Sequence, residues 1–182
     1  MPAHPKVPYT YEDYVAIPDD SAHRYEIVDG ELFVSPTPRP RHQEVVVSLT
    51  RILSTLAVQH GLGKIYTGPI TVRLHDDTVM EPDIIFVRAD RLGIVDPRRG
   101  VLGPPDLVVE ILSPSNRDYD RSLKRKRYLS GGVPELWIVD ADENAIDVWR
   151  PGLVEPERPR GAVTWGAGER TFEVVLEDVF QG

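Results

Sequence analysis

The chain has 182 residues, of which 41% are hydrophobic and 27% charged, with a formal net charge of −8 and no cysteine. This length and composition are typical of one folded globular domain, so we expect residues 1–182 to form a single domain. The negative charge argues against a protein that coats nucleic acid non-specifically, and the lack of cysteine excludes disulfides and thiolate metal sites. Because no apolar run could span a bilayer and residues 1–8 lack the apolar core of a secretory signal, we expect a cytoplasmic protein without membrane contact.

The first third of the chain predicts a short helix, a hairpin and a long helix. Residues 10–13 have the capping-box pattern, which predicts a helix ending near residue 17. Asp29-Gly30 between two β-type runs predicts an N-terminal β-hairpin over residues 25–34. Apolar residues recur at helical spacing over residues 42–60, and Gly61 is expected to end that helix.

The remaining chain predicts short strands and one more helix. The predicted strands are 64–74 (broken at Gly68-Pro69), 83–87, 107–112, 135–140, 145–150 and 171–176, with a turn at 75–77. A helix is predicted over 118–130, and loops over 90–105 and 151–168. This order of elements predicts an α+β fold with a central mixed sheet.

A carboxylate inside an apolar strand is the most informative feature of the sequence. Glu110 lies in the run Leu107–Leu112, and an isolated buried charge is costly, so Glu110 needs a cation, a metal ion or a set of donors. Asp83 opens a second apolar run. Two carboxylates on adjacent strands can hold a hard divalent ion such as Mg²⁺ or Mn²⁺ through oxygen. The alternative is that both carboxylates are exposed or serve as caps.

The segment that follows Glu110 is basic. Residues 117–127 contain six basic and two acidic side chains, a local charge of +4 in an acidic chain. Arg117 and Arg121 have the spacing of one helix face with Lys124, and this face could bind phosphates of DNA. The alternative is a solvated helix face.

Five segments, taken in order, are similar to a known family. They are Tyr25-Glu26-Ile27-Val28-Asp29-Gly30-Glu31-Leu32, Ser35-Pro36 with His42 before the long helix, Glu81-Pro82-Asp83, Val109 to Ser115, and Lys124 to Tyr128 followed by Gly132 to Asp140. Together they resemble the Uma-two family, bacterial proteins described as putative restriction endonucleases, within the PD-(D/E)XK nuclease superfamily. The resemblance covers roughly residues 8–150 and implies a restriction-endonuclease-like core, a central mixed sheet flanked by helices.

The resemblance also implies a metal site and a catalytic cation. It implies that Asp83 and Glu110 bind the metal, with the carbonyl of Ile111 as a third ligand. The superfamily's lysine would stand two residues after Glu110, where this chain has Leu112. In the Uma-two pattern a lysine from the following helix substitutes, and Lys124 matches it.

Four further residues have a functional and a structural interpretation. Lys126 is the second choice for the migrated lysine, although it points to a different helix face from Lys124. Glu26 matches a family position and could orient a metal-bound water, or could simply cap or pair in the hairpin. His42 stands just before the long helix and could be catalytic or a neutral capping residue. Tyr128 is expected to pack its ring while its hydroxyl forms a hydrogen bond.

Three functions are therefore open. The first is a Mg²⁺- or Mn²⁺-dependent DNA endonuclease, which we expect to be a homodimer because two-fold dimers suit duplex cleavage. The second is a catalytically inactive binding or assembly module on a nuclease fold, which Leu112 and the acidic total charge favour. The third is a carboxylate acid/base hydrolase acting on another substrate, for which the sequence shows no sugar- or peptide-binding signature. Walker A, GxGxxG, GxSxG and HExxH motifs are absent, so the corresponding enzyme classes lose their usual support.

Overall fold

The computed structural model describes residues 7–18, 23–36, 38–112 and 120–181, with the side chains of residues 36, 120 and 121 left undescribed. Its α-helices are α1 (Tyr11–Val15), α2 (Pro40–His60), α3 (Arg125–Ser130) and α4 (Leu176–Phe180). Its strands are β1 (His23–Val28), β2 (Glu31–Pro36), β3 (Gly63–Thr67), β4 (Val72–His75), β5 (Thr78–Met80), β6 (Ile84–Arg88), β7 (Val95–Asp96), β8 (Gly100–Leu102), β9 (Leu107–Ile111), β10 (Leu136–Asp140), β11 (Ala145–Trp149), β12 (Ala162–Ala167) and β13 (Arg170–Val175). A 3₁₀ helix covers Ala89–Ile94, and a π-helical turn, Asp120–Lys124, leads into α3.

The centre of the fold is a mixed five-stranded sheet with the order β11-β10-β9-β6-β3. Strands β9 and β10 are parallel, and the other neighbours are antiparallel. A parallel pair needs a crossover, and here the crossover contains α3. The predicted α+β class with a central mixed sheet is confirmed.

The predicted N-terminal hairpin is present, but it belongs to a second sheet. Asp29 and Gly30 have φ angles of 54° and 72°, as a tight two-residue hairpin turn requires. The hairpin joins a six-stranded sheet with the order β2-β1-β5-β4-β8-β7. Strands β7 and β8 lie where a loop was predicted over residues 90–105, because two or three residues are too few to show a periodic pattern.

Helix α2 packs on one face of the central sheet. Pro40 occupies its first turn, and Gly61 ends it with a left-handed φ of 62°. Its buried residues Leu49 and Leu53 share a core with Val109 of β9. The opposite face of β9 contributes Val108 to a second core, which also contains Tyr128, Leu112 and Leu136. Successive side chains of β9 therefore point alternately into the two cores.

Strand β12 and the predicted helix over 118–130 also differ from the sequence prediction. Strand β12 lies inside residues 151–168, where we expected a loop, and pairs with β13 along its whole length. The helix predicted over 118–130 begins, within the described residues, as a π-helical turn and becomes α-helical only at Arg125. None of the helices in the described ranges has both the length and the apolar character needed to cross a membrane.

The start of β3 requires a glycine. Gly63 has a φ of 152°, and an added Cβ would lie 2.1 Å from the main-chain oxygen of Val87. We therefore expect Gly63→Ala to lower the free energy of unfolding by about 3 kcal/mol, because backbone strain and overpacking act together. Urea denaturation followed by circular dichroism measures this change.

Gly166→Ala is the matched control for that substitution. No heavy atom of the described residues lies within 4 Å of a Cβ added at Gly166, and no positive φ is required there. We expect a change within about 0.5 kcal/mol. Equal destabilisation by the two substitutions would show that the close approach of Gly63 to Val87 is unimportant.

Candidate active site

The register of the central sheet brings the two predicted carboxylates together. Ile84 of β6 is paired with Val109 of β9, so one residue further along the antiparallel pair Asp83 stands opposite Glu110. Directly opposite residues project to the same face of an antiparallel pair. Asp83 and Glu110 are both only 2% exposed. Two ionisable carboxyl groups are thus buried on one face at the end of adjacent strands.

Asp83 is held on both of its carboxylate oxygens. Oδ2 accepts a hydrogen bond of 2.8 Å from the main-chain N–H of Ile111 and lies 3.2 Å from Nε2 of His42. Oδ1 accepts a hydrogen bond of 3.0 Å from the guanidinium of Arg24. Burial alone would raise the pKa of Asp83, but the contact with His42 and the charge of Arg24 lower it, so Asp83 is a carboxylate at neutral pH.

Glu110 is reached from the crossover that contains α3. Its Oε1 accepts a hydrogen bond of 2.6 Å from the hydroxyl of Tyr128. The same oxygen lies 3.3 Å from Nζ of Lys124. Both partners are buried, with Tyr128 at 0% and Lys124 at 3% exposure. Lys124, the residue that the Uma-two pattern selected, therefore places its ammonium beside Glu110.

Glu26 of β1 is the second carboxylate beside Lys124. Its Oε2 lies 2.8 Å from Nζ, an ion pair whose angles depart from those of a hydrogen bond. Its Oε1 accepts a hydrogen bond of 2.9 Å from the main-chain N–H of Glu81. Glu26 is 1% exposed. The lysine is consequently fixed between Glu26 and Glu110, which come from different sheets.

The cluster also contains three residues that were not predicted as site residues: Arg24, Glu81 and Tyr14. Arg24 contacts Asp83 and also lies 3.9 Å from a carboxylate oxygen of Glu81. The hydroxyl of Tyr14, on α1, donates a short hydrogen bond to Glu81 and lies 3.1 Å from the hydroxyl of Thr71. A signal for Arg24 was available: in strand β1 it shares a face with Glu26, two residues away.

Residues 11–176 match the model of the Uma2 family, whose description is "Putative restriction endonuclease". The chain belongs to the Uma2 family. A solved structure with a TM-score of 0.79 is that of a putative nuclease belonging to DUF820 from Anabaena variabilis ATCC 29413. The two are 21% identical, and the match covers 96% of this chain and 98% of that one. Comparison with curated proteins gave no match.

The Uma2 chain concentrates negative charge in this cluster. Among the described side chains, Glu26, Glu81, Asp83 and Glu110 contribute four carboxylates, and Arg24 and Lys124 contribute two cations, which leaves a formal charge of −2. Burial raises the pKa of Glu81, as does the charge of Glu26, while the hydrogen bond from Tyr14 opposes the shift. Excess buried negative charge is costly unless a cation compensates it.

The residues present fit a hard divalent cation. In the part of the chain that the structure describes, no three His, Cys, Asp or Glu side chains are grouped to hold a metal. Mg²⁺, however, is commonly held by one or two carboxylates, with waters and substrate phosphates completing its shell. Asp83 and Glu110 are such a pair, all-oxygen and buried, in a cluster whose formal charge is negative. Divalent metals are also general in restriction-endonuclease-like families.

The other predicted residues are distributed as follows. Lys126, the second choice for the migrated lysine, is exposed on α3. Leu112 is buried in the second core, 5% exposed, where the superfamily lysine would stand. Arg117 lies outside the described residues, and Arg121 lies in the π-helical turn with its side chain undescribed. His42 is buried against Asp83, so it lies within the cluster.

Proposed function

We propose that this Uma2 protein is a Mg²⁺- or Mn²⁺-dependent endonuclease that hydrolyses phosphodiester bonds of DNA. The observation that carries the proposal is the position of Lys124, 3.3 Å from Glu110 and 3% exposed, in a cluster that lacks the usual strand lysine. Had this side chain pointed to solvent, an inactive module would be the better interpretation. Membership in the Uma2 family supports a nuclease fold and function class.

Asp83, Glu110 and the main-chain carbonyl of Ile111 would hold the metal. When bound, the ion supplies Lewis-acid activation of a water nucleophile and neutralises charge on the phosphate. The chain's own groups prepare this site. His42 and the N–H of Ile111 fix one oxygen of Asp83, and Tyr128 fixes Oε1 of Glu110, so that both carboxylates are oriented before substrate arrives.

Lys124 would stabilise the negative charge that grows on the phosphate as the water attacks. A buried ammonium acts strongly because little water screens it and because no reorganisation is needed during the reaction. Glu26 is proposed to keep that ammonium in place, since its Oε2 lies 2.8 Å from Nζ. We propose this positioning role for Glu26 in preference to direct orientation of a metal-bound water.

The proposed substrate partner is DNA, and a homodimer would supply one site for each strand. We expect the double substitution Arg117→Gln and Arg121→Gln to weaken binding to all DNA sequences alike, because phosphate contacts carry no sequence information. The slope of log affinity against log salt should fall by about 2, one unit for each lost phosphate contact. Fluorescence anisotropy at several salt concentrations measures it.

Lys126→Gln is a control for that double variant, since Lys126 is exposed on α3 and the change removes a charge from the same segment. A general effect of net charge would change the slope in both proteins. An unchanged slope in the double variant would mean that the basic segment is a solvated surface.

Cleavage of supercoiled plasmid DNA tests the proposed activity directly. Purified protein should nick or linearise the plasmid with Mg²⁺ or Mn²⁺ and lose this activity in EDTA. DNA binding without cleavage at any metal concentration would favour the inactive binding module. If the protein neither binds nor cleaves DNA, nucleic acid is excluded as the substrate class.

A further inference from the structure

Arg24 is the more exposed of the two cations in the cluster. Its side chain is 22% exposed, whereas that of Lys124 is 3% exposed between two buried carboxylates. Burial alone would lower the pKa of Arg24, but the charges of Asp83 and Glu110 raise it, so its guanidinium remains charged. It therefore reaches from the buried carboxylates to the solvent-facing side of the site.

Arg24 also occupies the carboxylate oxygen that a metal would use. Oδ2 of Asp83 already accepts from Ile111 and contacts His42, which leaves Oδ1 as the oxygen for a further ligand. The partner that the structure gives to Oδ1 is the guanidinium of Arg24, at 3.0 Å. A cation at Oδ1 and the guanidinium would repel each other at such short range.

The guanidinium would keep one carboxylate nearby if it left Asp83. Oε2 of Glu81 lies 3.9 Å from Nε of Arg24 and would remain near that nitrogen after the guanidinium leaves Asp83. Gly68 lies beside the guanidinium, and a Cβ added there would lie 3.6 Å from the Nη2 atom, an ordinary van der Waals distance. A planar guanidinium released in this way has the shape for bidentate binding to a phosphate.

We propose that Arg24 exchanges its partner during the reaction: it neutralises Asp83 in the metal-free protein and moves to the scissile phosphate when a divalent cation takes its place. This inference rests on the proposed function and adds a substrate-binding residue to it. Arg24 would keep the buried carboxylates compensated before metal arrives. Once the metal has bound, Arg24 would place its positive charge next to the phosphate of the substrate.

If Arg24 exchanges partners, the substitution Arg24→Gln should strengthen metal binding but slow DNA cleavage. In Arg24→Gln the competing cation is gone, so the DNA-free protein should bind Mn²⁺ about tenfold more tightly than the wild type. Cleavage at saturating Mn²⁺ should fall by about 10²-fold, because a phosphate contact made in the transition state is lost. Free Mn²⁺ is measured by electron paramagnetic resonance during titration, and Mn²⁺ should raise the Tm of Arg24→Gln more than that of the wild type.

Two further variants complete the experiment. Arg88→Gln removes an exposed ion pair with Asp90 and should leave Mn²⁺ affinity and cleavage unchanged. Arg24→Lys retains a competing charge but loses the fork, so it should bind Mn²⁺ within about threefold of the wild type and still cleave about tenfold more slowly. This variant provides the test if Arg24→Gln does not fold.

The outcomes separate this inference from the proposed function. If the wild type binds no Mn²⁺, the proposed metal-dependent nuclease fails, and the exchange fails with it. If the wild type binds Mn²⁺ and cleaves DNA but Arg24→Gln binds Mn²⁺ no more tightly, Arg24 merely supports Asp83, and only the exchange is overturned. Weakened Mn²⁺ binding in a folded Arg24→Lys protein would overturn it in the same way.

Discussion

Asp83→Asn and Glu110→Gln are each expected to lower Mn²⁺-dependent DNA cleavage by about 10³-fold or more. Each substitution removes one of the two buried carboxylates that would hold the metal, together with one negative charge of the cluster. Loss of an outer-sphere partner typically lowers metal affinity by about 10–100-fold. Loss of a carboxylate ligand should lower Mn²⁺ affinity by more than that. Single-turnover cleavage of a labelled duplex and Mn²⁺ titration of the DNA-free protein measure the two effects.

Both substitutions are close to isosteric, so loss of folding is not the expected cause. In Glu110→Gln the new amide keeps an oxygen that can accept from Tyr128, and in Asp83→Asn it keeps one that can accept from Ile111. Asp90→Asn and Glu44→Gln are controls of the same chemistry at exposed ion pairs, and they should cleave like the wild type. Wild-type cleavage by either buried variant would place the catalytic metal elsewhere.

Much of the site could be predicted because it depends on local periodicity. The alternation of β9 fixes which residues share a face with Glu110, and the apolar setting shows that this carboxylate is buried. Lys124 was selected through the resemblance to the Uma-two pattern, in which a lysine of the helix after the strand substitutes for the strand lysine. These are short-range relations, and in the structure Nζ of Lys124 lies 3.3 Å from Oε1 of Glu110.

Arg24 and Glu81 could not be assigned in this way, because their contacts depend on how two sheets pack. Arg24 of β1, in the six-stranded sheet, contacts Asp83, which lies 59 positions later in the sequence and directly before β6 of the central sheet. No periodic pattern within either segment encodes that meeting. The alternation of β1 placed Arg24 on the face of Glu26, but only the packed structure shows that this face meets the carboxylates.

The missed strand β12 shows a different cause of error. Val163, Trp165 and Ala167 are buried while their neighbours are partly or fully exposed, which is the alternation of a half-buried strand. Gly161 and Gly168 flank this pattern and Gly166 interrupts it, and such glycines are turn signals, so the segment was predicted as a loop. Long-range pairing with β13 and contact of Trp165 with Phe86 outweigh the weak local preference.

Lys124→Met tests whether a lysine from the crossover has replaced the missing strand lysine. We expect turnover to fall by about 10²-fold or more, because the buried ammonium stabilises charge that develops in the transition state. Mn²⁺ affinity should be retained or increased, since a positive charge beside Glu110 is removed. The free energy of unfolding should fall by about 3 kcal/mol, because Glu26 and Glu110 lose their shared cation in a buried site.

Lys126→Met separates these effects from a general loss of positive charge. Lys126 lies two residues further along the same segment and is exposed, so cleavage, Mn²⁺ affinity and stability should all stay near wild-type values. Lys124→Met should be measured with Mn²⁺ present and well below the Tm of the variant, because metal binding restores part of the lost stability. Equal cleavage rates for the two variants would mean that Lys124 only compensates buried charge, and the catalytic cation would then have to come from another part of the chain.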